Sequence, residues 1–339
     1  MTINILTSST RFYWGVLPEA ELRDLNFSIS KLGFIQATSE FNFSQRFDYA
    51  TDLDRANLIK FLFPEKYAYR VLEIGCGYGN LTIELAKKFD SVDSVDAVYE
   101  SLVFTQHRLE FEECSNVQLY QTNVFEDKEF LKHFEDNVYD LIVINGVLEW
   151  VGSGVKTGNP RMLQKQFLDL CNAKLNSSGL LFLAIENRYY PGWVRRDPHS
   201  KLPLTAIAPR KIANFISVLL SNRAYRTYIY GYRALIKMLR SSGFFLNSKV
   251  YVYHSYRRPI LIFQNNSKFA KEFLSKNKNN KLSSKWKLFI RYGISLKLID
   301  LLIPTFTHVY TKKSNSTFEL KNKYAYTING NFEIVSEEK

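Results

Sequence analysis

VLEIGCGYGN, residues 71–80, is the stretch that decides how this chain folds. An apolar run passes through Glu73 into glycines at alternate positions, Gly75, Gly77 and Gly79, and then into the helix-like NLTIELAKKF (80–89). Glycines at such a strand-to-helix turn allow positive φ and remove Cβ atoms where a ligand must lie against the backbone. The G-x-G-x-G spacing is one residue tighter than the dinucleotide fingerprint G-x-G-x-x-G. A second run ends in Asp96, 21 residues beyond Gly75, where a carboxylate can accept from both hydroxyls of a ribose.

Outward from this loop the chain keeps the same rhythm. Short apolar runs stand at RVLEIG (70–75), SVDSVDA (91–97), VQLYQTN (117–123), YDLIVING (139–146) and GLLFLAIEN (179–187), separated by amphipathic stretches such as PRMLQKQFLDLCNAKL (160–175). Strand-like runs alternating with helices of 10–15 residues predict βαβ units and an α/β, doubly wound, mostly parallel Rossmann-like sheet with its ligand site along one edge. Residues 1–63 read as an N-terminal helical segment and 64–264 as the ligand-binding domain. An insertion at 188–240 follows the fifth strand. The stretch 232–246 reads as a helix stopped by Gly243, with strand-like segments at 249–256 and 259–264. Residues 265–339 read as a polar loop, a basic-apolar helix (286–303), a last strand (305–313) and a tail.

With these motifs in place, residues 52–263 resemble the class I S-adenosylmethionine (SAM) dependent methyltransferases. The resemblance implies SAM as cofactor. It implies that Glu73, Gly75, Gly77 and Gly79 line its methionine end and that Asp96 holds the ribose. Asn123, with the backbone of Val124, stands where the family has an adenine-binding Asp. NGVLEW (145–150) matches the loop under the reactive sulfur, with Asn145 and Gly146 contacting the cofactor and Glu149 and Trp150 contacting it or packing.

Methylation of an alcohol also needs a base, because the hydroxyl proton must leave as the C–O bond forms. The insertion segment ENRYYPGWVRRDPHSKLPLTAIAPR (186–210) holds His199 in a turn-forming Asp-Pro context, with Asp197 placed to orient the imidazole and Glu149 or Glu186 next in line. IENR, NGVLEW and the DPH…PR insertion also resemble bacterial methyltransferases of surface-polysaccharide and glycan biosynthesis. That resemblance implies O-methylation of a sugar or phosphosugar, with Arg188, Arg195, Arg196 and Arg210 gripping an anionic part of the acceptor.

Composition bounds the partners. Residues 1–189 carry a net charge of −8 and residues 190–339 one of +20. The basic half faces a phosphorylated acceptor, a nucleic acid or a membrane surface, or reflects codon usage rich in Lys and Asn. The apolar-basic stretch 284–304 either packs on the core or lies on an anionic membrane. Three scattered cysteines (Cys76, Cys114, Cys171) show no metal-ligand spacing, and no metal is expected. No signal peptide or long apolar span is visible, so a cytoplasmic protein is expected, with peripheral contact to the inner face of the membrane left open. A nucleic-acid methyltransferase and a natural-product methyltransferase remain alternatives. The first lacks a recognisable binding module, and NGVL stands where base amino-methylases carry Asn/Asp-Pro-Pro-Tyr/Phe. A non-enzymatic scaffold is disfavoured by the intact glycine loop and Asp96.

Overall fold

The computed structural model describes residues 2–6, 17–41, 52–123, 130–153, 158–264, 298–314, 318–328 and 331–336. The five runs read from the sequence are the strands β2 (Tyr67–Ile74), β3 (Phe89–Asp96), β4 (Val117–Gln121), β5 (Tyr139–Asn145) and β6 (Leu175–Glu186). They pair in parallel in the order β4-β3-β2-β5-β6. Helices α4 (Thr82–Lys88), α5 (Tyr99–Phe111) and α6 (Pro160–Lys174) make crossovers between them. Thr305–Thr311 (β10) then pairs antiparallel with β6, and Phe245–Ser248 (β7) closes that edge.

Strands buried on both faces show why the apolar runs lack alternation. Leu141, Val143, Phe182 and Ala184 point into one core layer, while Ile142, Ile144, Leu181 and Leu183 point into the other. One strand therefore feeds two layers, and the C-terminal ends of β2 to β6 remain as the edge where loops gather.

Three features lay beyond the sequence reading. Ile3–Ile5 (β1) adds a parallel strand beside β4, too short to show any period. The helix before Gly243 ends at Ser241, and Phe245–Ser248 leaves as a strand of the central sheet. Val250–Ser255 (β8) and Arg258–Gln264 (β9) form a hairpin in a separate antiparallel sheet, completed by Asn322–Ile328 (β11) and Asn331–Ser336 (β12).

The N-terminal segment is helical where described, with α1 (Glu19–Leu32) and α2 (Phe34–Glu40) meeting at Gly33. A 3-10 turn (Leu53–Ala56) then leads into α3 (Asn57–Leu62). The second sheet grips that approach, since Asn322 Nδ2 donates to the Phe61 carbonyl at 2.7 Å. The expected loop 265–285 and most of the expected helix 286–303 lie outside the described residues. Among the described residues no helix is long and apolar enough to cross a membrane.

Candidate active site

The glycine loop leaves β2 and is braced from several sides. Gly75 and Cys76 donate their amides to the Val95 carbonyl at 2.7 and 3.1 Å. Asp96 Oδ2 accepts from the Gly77 amide at 2.8 Å and Oδ1 from the Val98 amide at 2.9 Å. Both oxygens keep lone pairs for a further donor such as a ribose hydroxyl. From α5, Thr105 Oγ1 donates to the Gly77 carbonyl, and the buried Arg108 donates to the Tyr78 carbonyl and Asn80 Oδ1. Thr105 and Arg108 escaped sequence reasoning, because nothing in a helix's own pattern says which loop its side chains brace.

The three loop glycines serve two purposes, and all have positive φ. A Cβ on Gly75 would run into the Val147 side chain, and one on Gly79 would stand 2.9 Å from Thr105 Cγ2. At Gly77 a Cβ would meet nothing within 4 Å. The first two glycines let protein pack on protein. The third opens onto space that a ligand can take.

Glu73 faces inward. Its Oε2 accepts from Thr82 Oγ1 at 2.7 Å and Ser94 Oγ at 2.8 Å, tying β2 to α4 and β3. Burial pushes its pKa up to about 7, from an ordinary value near 4.5, against the pull of those two hydroxyls. The folded state therefore gains from protonated Glu73 below about pH 4.5 and loses that gain as pH rises toward 7. Glu73→Gln is expected to melt higher than the parent at pH 8 and close to it at pH 4.5. Thermal unfolding at both values measures this, and an equal difference at the two would contradict it.

Along the same edge, Asn123 is buried just after β4, and Val124 lies outside the described residues. Asn145, at the end of β5, is buried with neither amide atom hydrogen-bonded. An orphaned amide of this kind is costly unless a bound group completes it. Next to it Gly146 turns with φ +73°, and Tyr256 occupies the place its Cβ would need. The Tyr256 hydroxyl donates to Glu186 Oε1 at 2.8 Å and so links the Gly146 turn to the end of β6.

Here the insertion closes down. His199 Nε2 lies 3.4 Å from Glu186 Oε2 and 3.7 Å from Glu149 Oε1, and the Trp150 ring stands edge-on to the imidazole with centroids 4.9 Å apart. The side chains of Glu149, Glu186 and His199 are 0, 6 and 1% exposed. Burial alone would lower the imidazole pKa, but the two carboxylates push it up to about 9. Burial and the Glu186 charge raise Glu149 to about 7, whereas the His199 charge holds Glu186 low despite its burial.

Asp197 holds the turn. Its oxygens accept from the amides of His199 and Ser200 and from the hydroxyls of Thr205 and Tyr225, while Oδ1 stands 3.8 Å from His199 Nδ1. It fixes the His199 backbone, and hydrogen-bonding to the ring is left unmade.

The arginines divide. Arg188 donates to the carbonyls of Ala206 and Ala208. Arg210 donates to those of Thr227 and Ile229 and stacks 3.5 Å above the Tyr228 ring centroid. These two brace the insertion. Arg195 and Arg196 are exposed. Among the described residues, Arg257 reaches the Glu186 carboxylate, with Nη2 at 3.8 Å from Oε1, and the sequence reading passed it over. It sits in the β8–β9 turn, which only the tertiary fold brings to this edge.

Residues 65–187 match the family model described as a methyltransferase domain. Two curated 23S rRNA (uracil(1939)-C(5))-methyltransferases RlmD, from two strains of Vibrio cholerae, are 38% and 37% identical over 58 and 57 residues. Each match covers 17% of this chain, which spans only 13% of those proteins' length. Among solved structures, the [4+2]-cyclase SpnF aligns at 12% identity and a TM-score of 0.44 over 76% of this chain and 80% of that one. A phosphoethanolamine N-methyltransferase 2 of Haemonchus contortus, in complex with phosphomonomethylethanolamine and S-adenosylhomocysteine, aligns at 14% and 0.41 over 76% and 51%. A SAM-dependent methyltransferase from Aquifex aeolicus aligns at 12% and 0.39 over 69% and 93%. Residues 65–187 are a methyltransferase domain with SAM as its cofactor, and the open face of Gly77, Asp96 and the orphaned Asn145 amide fit that group.

Proposed function

We propose that the protein transfers a methyl group from SAM to a hydroxyl of a sugar or phosphosugar. The observation that carries this reading is the buried Glu149–Glu186–His199 cluster at the C-terminal edge of the sheet, joined through Tyr256 to the Gly146 turn. SAM supplies a methyl on a positive sulfur, so the enzyme's share is to position the acceptor and provide for its proton. Gly77 gives the cofactor its floor, Asp96 holds its ribose, and the cluster receives the acceptor's hydroxyl.

The choice of a sugar rests on the likeness of IENR and the DPH…PR insertion to glycan-associated methyltransferases. Charge supports an anionic portion of the acceptor. Residues 198–271 contain no Asp or Glu, and Arg257 and the exposed Arg195 and Arg196 stand among them or just before.

RNA is the second reading, favoured by the short match to the rRNA methyltransferases. Against a uracil-C5 reaction run by a reactive thiolate, Cys76 and Cys171 are buried, Cys114 lies before the N-terminal end of β4 and so away from the site edge, and burial raises all three thiols. Incubation with methyl-labelled SAM and separate pools of nucleotide sugars, lipid-linked glycans and RNA decides between the readings. Label is expected in a glycan or sugar pool as a base-stable ether. Label in RNA alone would overturn the proposal.

A further inference from the structure

We propose that Glu149, Glu186 and His199 bind a divalent metal ion, which holds and polarises the acceptor's hydroxyl. The inference rests on the hydroxyl-methylation reading for its use, and on the geometry of the three side chains for its existence.

Spacing is the first argument. One ligand atom from each residue lies within 4.8 Å of the others, with His199 Nε2 at 3.4 and 3.7 Å from the two carboxylates. Charge-assisted hydrogen bonds close to about 2.7–2.9 Å. Ligands bound at about 2.0–2.2 Å to one ion stand roughly 3–3.6 Å from each other. The separations are long for the first arrangement and near those of the second.

Satisfaction is the second. Both Glu149 oxygens, Glu186 Oε2 and both His199 nitrogens are buried without a hydrogen-bond partner. Buried ionisable groups are strongly disfavoured unless they are paired or bind a metal. Nearby, the same fold satisfies its buried carboxylates fully: Glu73 takes two hydroxyls, and Asp197 takes two amides and two hydroxyls. The cluster is the exception: Glu149, Glu186 and His199 meet one another only as long ion pairs at 3.4 and 3.7 Å, and a metal ion would complete them.

The donor set narrows the ion. One imidazole with two carboxylates suits Mn²⁺, Fe²⁺ or Zn²⁺, and three protein ligands leave positions open for acceptor oxygens and water. Tyr256 donates to Glu186 Oε1, and Trp150 packs edge-on against His199, the outer contacts that keep ligands aimed. A bound cation lowers the pKa of an oxygen ligand by several units, so the hydroxyl can give up its proton near neutral pH. In the transfer the oxygen–carbon bond forms as the sulfur–methyl bond breaks and the sulfur keeps the electron pair. The hydroxyl proton leaves to water or to a free carboxylate oxygen, and the cation's oxidation state is unchanged. The ligands lie 37 and 13 residues apart in the chain, on the 3-10 turn after β5, the end of β6 and the insertion turn, so no spacing motif announces them.

The full-length protein, stripped with chelator and dialysed, is titrated with Mn²⁺ while the resonance signal of the free ion is followed, with Zn²⁺ as competitor. One ion per chain is expected, with affinity at least tenfold weaker in Glu149→Gln and in His199→Ala. SAM calorimetry on the same samples confirms that the variants are folded. No binding of Mn²⁺ or Zn²⁺ to the parent at millimolar ion, or unchanged binding in both variants, would overturn the site. If the chelated protein methylates a sugar hydroxyl at full rate, the metal proposal fails and the hydroxyl reading stands. If the ion binds but label enters only RNA, the site stands and its proposed use fails.

Discussion

His199→Ala is expected to lower turnover on a hydroxyl acceptor by about 10²–10⁴-fold, the usual worth of a group that manages the acceptor's proton. The imidazole lies between Glu149 and Glu186, and its loss leaves two buried carboxylates facing each other with nothing between them. Whether the charged His199 holds in place the Glu149 and Glu186 carboxylates that take the proton or, once deprotonated, helps to hold an ion, the hydroxyl loses its means of ionising. SAM affinity should be unchanged, because Thr105, Arg108 and Asp96 hold the glycine loop from elements that His199 does not belong to. Single-turnover rates beside SAM calorimetry separate the two effects. An acceptor already ionised at its reacting oxygen, a phosphate or carboxylate, needs no such help and should lose little. Wild-type turnover of a hydroxyl acceptor by His199→Ala would make the residue structural and remove the basis for the proposed chemistry.

Gly77→Val is expected to weaken SAM binding at least tenfold, or about 1.4 kcal/mol, with the fold retained. The Cβ itself meets nothing within 4 Å, so the branched side chain enters the space left for the cofactor. Its φ of +56° adds backbone strain that a β-branched residue bears poorly. Gly75→Ala should behave differently. Its φ is +83° and its new methyl overlaps Val147, so the loss appears first as a lower melting temperature. Calorimetry and thermal unfolding on the pair measure both. Wild-type SAM affinity in Gly77→Val would remove the loop from the cofactor site.

The central sheet was legible because β5 and β6, buried on both faces, stand out as nearly continuous apolar runs, and the shorter, more polar runs of β2 to β4 repeat at the same spacing between helix-like stretches. The glycine loop and Asp96 were legible because they are local: one turn and one strand end, at a fixed separation. Glu149 and His199 were legible as candidates through the loops that carry them. Their convergence with Glu186 was not, since a parallel sheet brings loop ends together irrespective of sequence distance. Arg188 and Arg210 show the opposite difficulty. An arginine in an acceptor-side insertion looks like an anion grip, yet here both guanidinium groups serve backbone carbonyls. Charge type was readable in the chain; the partner each charge finds was not.

The pairing of Thr305 with Glu186 also bears on how the molecule is made. Strand β6 gains its outer neighbour only when a segment 119 residues downstream has been synthesised, roughly 6–24 s later at ordinary elongation rates. Throughout that interval the edge Leu180–Ile185, fully apolar, stands open on the ribosome-bound chain. Such an edge is a template for pairing with other chains. Yield of folded protein should therefore depend on expression temperature and on chaperone supply more than its stability once complete would suggest.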